Sequence, residues 1–315
     1  MSEPSKGKET KLRVDVDGHE LTLTNLGKVL YPETGFTKGE VVDYYTRIAP
    51  VLLPHLADRP LTVKRYPNGV DKPFFFEKNA ARGTPSWVRT ATLPVPGSTM
   101  KRDTIDYVVI DSLAALVRMA NLAALELHVP QTRLPPRARV PRIDTIVFDL
   151  DPGPPASIVE CCEVALLLRE LATEHGLTLF AKTSGSKGMQ LSGPVSVDDA
   201  ETTSGYARAL AQRLEQERPD LVVWRMTKSL RPGKVLVDWS QNNPAKTTVA
   251  PYSLRARAQP TVSTPLTWDE VASGVELKFT ADDVLARVDE QGDLFAGVLS
   301  DELRARITPA MGSAE

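Results

Sequence analysis

The run IDTIVFDLD at 143–151 constrains the chain most. Its β-branched and apolar residues predict a strand, and Pro152-Gly153 stops it. Ser157 is placed to cap a helix in which Ile158, Val164, Leu167, Leu168 and Leu171 recur at helical spacing, and Gly176 ends it. LTLFAK (177–182), MQLSG (189–193), LVVWR (221–225) and KVLVDWS (234–240) predict further strands, with a second helix over 202–217. The order β-α-β-β-α-β plus one strand is a split βαβ, ferredoxin-like arrangement. Its antiparallel sheet carries helices on one face and leaves the other free for a ligand.

Upstream, residues 130–142 (PQTRLPPRARVPR) hold four prolines and four arginines, too many breakers for a regular element, and predict a connection between two halves. In the first half, 37–49 predicts a capped amphipathic helix, RPLTVKRYP a strand, and the apolar stretch 110–127 one long helix. Residues 1–20 are expected as a flexible tail and 21–295 as one domain with modules at about 21–140 and 141–295. A C-terminal tail is expected over 296–315. With 42% hydrophobic and 25% charged residues, collagen-like and wholly disordered readings are excluded. No run approaches the roughly 18 apolar residues of a membrane span, and the polar start MSEPSKGKETK lacks a secretory apolar region. Adjacent Cys161 and Cys162 form neither a disulfide framework nor a zinc site and suit a cytoplasmic protein.

The net charge of −2 hides an asymmetry. Residues 226–257 carry six basic residues against one acidic, whereas 269–315 carry four against eleven. A basic band in a near-neutral chain suits phosphate or a nucleic-acid backbone, although a solvated surface is the plainer reading of charge alone. Asp149 and Asp151, at i and i+2 on a strand, project from one face. Asp238 ends another apolar run that the predicted fold could place alongside. Carboxylates without a Cys/His cluster suit Mg²⁺ or Mn²⁺, two of which can activate a hydroxyl and stabilise leaving pyrophosphate. Taken alone, a D-x-D pair is more commonly a polar strand end.

The turn TSGSKG (183–188) can aim successive N–H groups at one anion, with Ser184 and Ser186 hydroxyls and the Lys187 charge beside them. An ordinary flexible turn is as good a reading of it in isolation. Lys228, Arg231, Lys234, Lys246 and Arg255 surround Asp238 in sequence, a mixture suited to polyphosphate. Phe74, Phe75 and Phe76 beside lysines have the makings of base stacking, with core packing the better reading for Phe74. His128 by itself reads as a hydrogen-bonded helix-end histidine.

Together the blocks LTLTNLGKVLYPETGFTKGEVVDYY, RPLTVKRYPNGVDKPFFFEK, LELHVPQ, VFDLDPG, TSGSKG and the run from MTKSLR through GKVLVDWSQN to KTTVAPYSLR resemble the polymerase domain of bacterial ligase D. That family belongs to the archaeo-eukaryotic primase superfamily used in bacterial non-homologous end joining. The resemblance implies an α/β module and an RRM-like module sharing one cleft, with Asp149, Asp151 and Asp238 as ligands for two Mn²⁺ or Mg²⁺ ions. It implies nucleotide contacts from Lys64, Ser184, Lys187, Gln241 and Arg255, base stacking by Phe75 and Phe76, and an active-site role for His128. Lys28 and Lys38 would grip the 5′-phosphate of a downstream strand, with Arg231 and nearby Lys228 on DNA.

Where the family has histidine two residues after the phosphate loop, this chain has Gln190. Glutamine can donate to a phosphate oxygen but cannot become cationic. The region 92–107 does not match the family's end-pairing hairpin clearly. With no ligase lysine motif or nuclease region before residue 315, the chain resembles stand-alone members, whose partners would be a separate ATP-dependent DNA ligase and an end-binding protein. The implied activity is template-dependent nucleotide addition at short gaps or broken ends, with ribonucleotides preferred, in the cytoplasm at the nucleoid. Two rival readings are a haloacid-dehalogenase-type phosphohydrolase, whose nucleophile motif also opens FDLD, and a catalytically weak DNA-end-binding module.

Overall fold

A computed structural model describes residues 10–95, 103–138 and 140–312. The chain opens with a hairpin, β1 (Lys11–Val16) and β2 (His19–Thr24), where a flexible tail is expected. Asp17 and Gly18 both take positive φ (51° and 78°), the two-residue turn that matches strand twist. Leu21 and Leu23 are buried, so this hairpin belongs to the fold. A short pair, β3 (Val29–Tyr31) and β4 (Phe36–Thr37), leads into α1 (Lys38–Leu56). Thr37 and Glu40 form a capping box there. The helix runs past residue 49 despite Pro50 and Pro54, both exposed, because Ile48, Leu52 and Leu56 stay buried along its other face.

Strands β5 (Thr62–Arg65) and β6 (Phe75–Glu77) follow, then the hairpin β7 (Thr90–Pro94) and β8 (Thr104–Val108), whose tip at 96–102 lies outside the described residues. The stretch 110–127 is not one helix. Helix α2 (Leu113–Asn121) ends before Ala123, which has φ of 55°, and the chain continues as β9 (Ala124–Val129), buried throughout. A continuous apolar run suits a core helix and a central strand equally, and tertiary pairing with β5 decides for the strand. The proline–arginine stretch crosses over through β10 (Thr132–Arg133) and β11 (Arg142–Ile143). Buried Arg59 clamps it, donating from both terminal nitrogens to Asp144 at 2.9 Å.

The second half follows the predicted order. It comprises β12 (Thr145–Pro152), α3 (Ile158–Glu174), β13 (Phe180–Thr183), β14 (Met189–Pro194), α4 (Ala200–Glu217), β15 (Val222–Val223) and β16 (Val235–Asp238). After β17 (Thr248–Val249) and β18 (Pro265–Leu266) come α5 (Trp268–Ser273) and α6 (Ala281–Gln291). The six-stranded sheet has the order β15-β16-β12-β14-β13-β18. Ile146, Phe148 and Leu150 pack into one core with the apolar faces of α3 and α4. The alternate residues of β12 therefore face the other way.

The module boundaries differ from the expected pair. Strand β17 joins β9 of the first sheet, and Ala250, Tyr252, Leu254, Val262, Val284 and Leu285 complete the first core. Between them β18 pairs with β13 of the second sheet. Residues 248–262 and 281–288 thus return to the first half, while Leu266, Val271 and Leu277 between them stay with the second core. The last segment is no loose tail either: Ala305 bridges to Val195, and Ala305 and Ile307 join the second core.

Candidate active site

Because Phe148 and Leu150 point to the helices, Asp149 and Asp151 project from the opposite face of β12. Antiparallel pairing with β16 sets Asp238 directly across from Asp149. Carboxylate oxygens of all three lie within 4.8 Å of one another, which joins the strands as the sequence reading required. Asp238 is held by the Ser240 N–H at 2.9 Å, the Ser240 hydroxyl at 2.5 Å and the Gln241 amide at 2.9 Å, while Lys246 donates to the Ser240 hydroxyl. Burial, with Asp151 and Asp238 close by, pushes the Asp149 carboxyl up to about 7. Asp151 is raised by its burial and by Asp238, and lowered in part by Arg231. Three carboxylates so crowded, all oxygen donors, fit a hard divalent cation, which would offset their mutual repulsion.

The cluster opens into a cleft of about 280 Å³ whose lining includes His128, Ser184, Lys187, Gln190, Gln241 and Arg255. The turn after β13 reaches this cleft through two glycines. A Cβ on Gly188 would sit 2.1 Å from the Leu150 carbonyl oxygen, and one on Gly185 (φ 65°) would meet the Arg255 side chain at 2.6 Å. Within the turn, the N–H groups of Ser186 and Gly188 donate to the Ser184 hydroxyl at 3.3 and 3.2 Å. Ser186 and Lys187 are exposed, and Lys187 has no acidic partner among the described residues.

Across the cleft, Glu126 organises the cations. Its carboxylate lies 2.9 Å from His128 Nε2, 3.1 Å from Lys64 Nζ and 3.3 Å from Arg255 Nε, and Arg255 also donates to the Ser184 carbonyl. Burial would raise the Glu126 carboxyl, but His128, Arg255 and Lys64 outweigh it and hold the group well below the usual carboxylate range. His128 is lowered, mainly by burial. It sits on β9, not at a helix end. Lys64 pairs in register with Phe76 on β6, and the Phe76 ring lies 6.3 Å from that of His128. Phe74, expected in the core, is 49% exposed and stacks on Tyr66; Phe75 and Phe76 are 60% and 53% exposed. Adjacent on one strand, Phe75 and Phe76 face opposite ways.

The remaining candidates lie outside this cleft's lining. Lys28 is exposed and bonds Asn68, while Lys38 is 6% exposed with its ammonium on Thr24; the Lys38 N–H donates to the Lys28 carbonyl at 2.8 Å, so the two share one corner. Arg231 lies near Asp151 from the segment before β16, where it donates to the Met226 carbonyl at 2.7 Å, and Lys228 opens the short 3-10 turn just ahead of it. Three charged residues escaped the sequence reading: Arg257 in the cleft lining, Glu126 beside His128 and Arg255, and Lys182 beside Gln190. For Glu126 the signal was present, two residues before His128 on what proved to be a strand. Lys182 is 2% exposed and burial lowers its ammonium to about 7.

Residues 37–295 match the family model described as LigD, primase-polymerase domain. The chain belongs to that family. Relatives of this LigD domain include the multifunctional non-homologous end joining protein LigD of Mycolicibacterium smegmatis, 49% identical over 280 residues. The match covers 89% of this chain and 36% of that protein. The bifunctional LigD of Bacillus subtilis is 32% identical, over 87% of this chain and 43% of its own length. The chain thus spans less than half the length of these curated relatives. The solved polymerase domain of Mycobacterium tuberculosis ligase D, in complex with DNA, superposes with a TM-score of 0.84 at 46% identity, covering 89% of this chain and 98% of that one. The LigD match bears out the archaeo-eukaryotic primase fold, and the haloacid-dehalogenase reading is not favoured. No helix among the described residues is long and apolar enough to cross a membrane.

Proposed function

We propose that this LigD-family chain is a template-dependent nucleotidyltransferase that extends DNA ends or fills short gaps in end-joining repair. The observation that carries the reading is the convergence of Asp149, Asp151 and Asp238 on the floor of a cleft lined by Lys187 and Arg255. The cluster would hold two Mn²⁺ or Mg²⁺ ions, which lower the pKa of a primer 3′-hydroxyl and neutralise departing pyrophosphate.

The chain's own residues do the rest. Ser184, Ser186 and Lys187 bind the triphosphate, and Lys64 and Arg255, spaced by Glu126, add charge on the opposite wall. Gln241 and Gln190 steady Asp238 and Asp149 at the cleft floor. Phe76, beside His128, offers an exposed ring to a base, and Phe75 offers another on the far side of β6. Lys28 and Lys38 form a corner for a downstream 5′-phosphate, and Lys228 and Arg231 lie along the DNA. Once its proton has passed to water, the 3′-oxygen attacks the α-phosphorus, the bond from that phosphorus to the bridging oxygen of the β-phosphate breaks, and pyrophosphate leaves with its electron pair. Ribonucleotides are the preferred donors, and a ligase activity and an end-binding protein complete the repair, at the nucleoid.

Primer extension on a gapped duplex with a 5′-phosphate, with Mn²⁺ and each nucleotide set, tests this directly. Extension by the native chain and none by Asp149→Ala/Asp151→Ala is expected. Equal extension by both rejects the assignment.

A further inference from the structure

We propose that Lys182 is a positioning residue for the carboxylate cluster, acting through the side-chain amide of Gln190 on Asp149. The inference deepens the reading of the cluster as a cation site and rests on it. Pairing registers place Asp238, Asp149, Gln190 and Lys182 in one row across β16, β12, β14 and β13. In-register neighbours on a sheet project from the same face, so these four side chains form a file across it.

Hydrogen bonds join three of the four, from Lys182 through Gln190 to Asp149. Lys182 Nζ donates to Gln190 Oε1 at 2.5 Å, to the Ser263 hydroxyl at 2.8 Å and to the Val249 carbonyl at 3.0 Å, which uses all three of its protons. Gln190 Nε2 then donates to Asp149 Oδ1 at 3.0 Å. Chemistry fixes this orientation of the amide. The flipped rotamer would set its NH₂ group against an ammonium and its carbonyl against a carboxylate, a repulsion at both ends. Lys182 therefore obliges Gln190 to present N–H to Asp149 rather than to a phosphate, and so holds one carboxylate oxygen while leaving the other for the cleft.

Lys182 has no carboxylate within ion-pair distance among the described residues, although it is 2% exposed. A buried ammonium without an acid costs stability, and packing alone gives no reason for it to be there. Its two effects on a bound cation have opposite signs. As a bare positive charge it repels the cation, so removing it would tighten binding. As the anchor of the Gln190 amide it orders a ligand, so removing it would weaken binding. Positioning is the effect we assign as dominant, because three fixed acceptors leave the ammonium no other geometry.

The test is titration of the full chain with Mn²⁺ alone, without nucleotide or DNA, followed by the paramagnetic signal of free Mn²⁺. Lys182→Met and Gln190→Met are each expected to raise the Mn²⁺ Kd by about 10- to 100-fold, and the double variant by no more than the larger single effect. Tighter or unchanged binding in Lys182→Met overturns the proposal, as do single effects that multiply in the double variant. Should Lys182→Met not fold, Gln190→Met decides alone. It leaves Lys182 its Ser263 and Val249 partners, and unchanged Mn²⁺ affinity there rejects the relay. Native protein that binds Mn²⁺ no better than Asp149→Asn removes the cation site and the relay with it. Normal Mn²⁺ binding with no primer extension removes only the nucleotidyl-transfer reading.

Discussion

Asp149 and Asp238 face one another across the β12–β16 ladder although 88 residues of chain separate them, and their carboxylates share a space 4.8 Å wide with Asp151. Like charges so placed repel, and the Asp149 carboxyl is raised by its burial first and by that repulsion second. Asp149→Asn removes it. The variant is expected to melt a few degrees higher than the native chain when both are stripped of metal, and to lose about 10³-fold or more in primer extension. Calorimetry with chelator and a gap-filling assay measure the two effects.

Gly188 touches β12 where no side chain fits. A Cβ there would overlap the Leu150 carbonyl oxygen, which is backbone and cannot swing aside. Gly188→Ala is expected to cost about 3 kcal/mol or more in urea unfolding.

Glu126 holds Lys64, Arg255 and His128 together from a site 2% exposed. Glu126→Ala leaves nearly buried Arg255 without its acid, at a cost of about 3–5 kcal/mol by chemical denaturation. Native-like stability in that variant would contradict the role drawn for this carboxylate.

Phe76 is more than half exposed, so Phe76→Ala is expected to leave the melting temperature within about 2 °C of the native value. Loss of one base–ring stack, worth about 1–3 kcal/mol, should weaken nucleotide or primer–template binding about 5- to 150-fold in a fluorescence titration.

His55, 4% exposed, sits 2.9 Å from Asp293, and burial lowers its pKa from 6.5 despite that partner. The unfolded chain then binds the proton more readily than the folded one, so stability falls as pH drops below 6.5. The loss from this single group approaches about 1.4 kcal/mol per pH unit. Melting curves from pH 7 to pH 5 should fall less steeply for His55→Gln, which has no proton to gain.

What could be read from the residues followed physical period. The second sheet was legible because its strands are short, β-branched and punctuated by Pro152-Gly153 and Gly176, and Asp149 and Asp151 inherit one face from the period of two. The strand β9 was not, because ALELHV is apolar enough to continue a helix and only pairing with β5 and β17 distinguishes it. The hairpin at 11–24 carried its signal in Asp17-Gly18 between alternating residues, and a polar start masked it. Lys182 gave no sign, since a lysine in LTLFAK reads as a solvated strand end until Ser263 and Val249, some 70 to 80 residues away, close over it.

The return of residues 248–262 and 281–288 to the first half has a practical consequence for anyone dissecting the chain. Cutting at the proline–arginine crossover would strip β9 of its partner β17, leave a bare hydrogen-bonding edge and remove Tyr252 and Leu254 from the interior beneath α1. The N-terminal fragment would lose part of its core, and the C-terminal one would keep the second core but carry Tyr252, Leu254 and Val284 with nothing to bury them. A split version would have to be divided instead in an exposed stretch that no ladder crosses, such as residues 275–276 between α5 and α6, so that complementation between the pieces restores both layers at once.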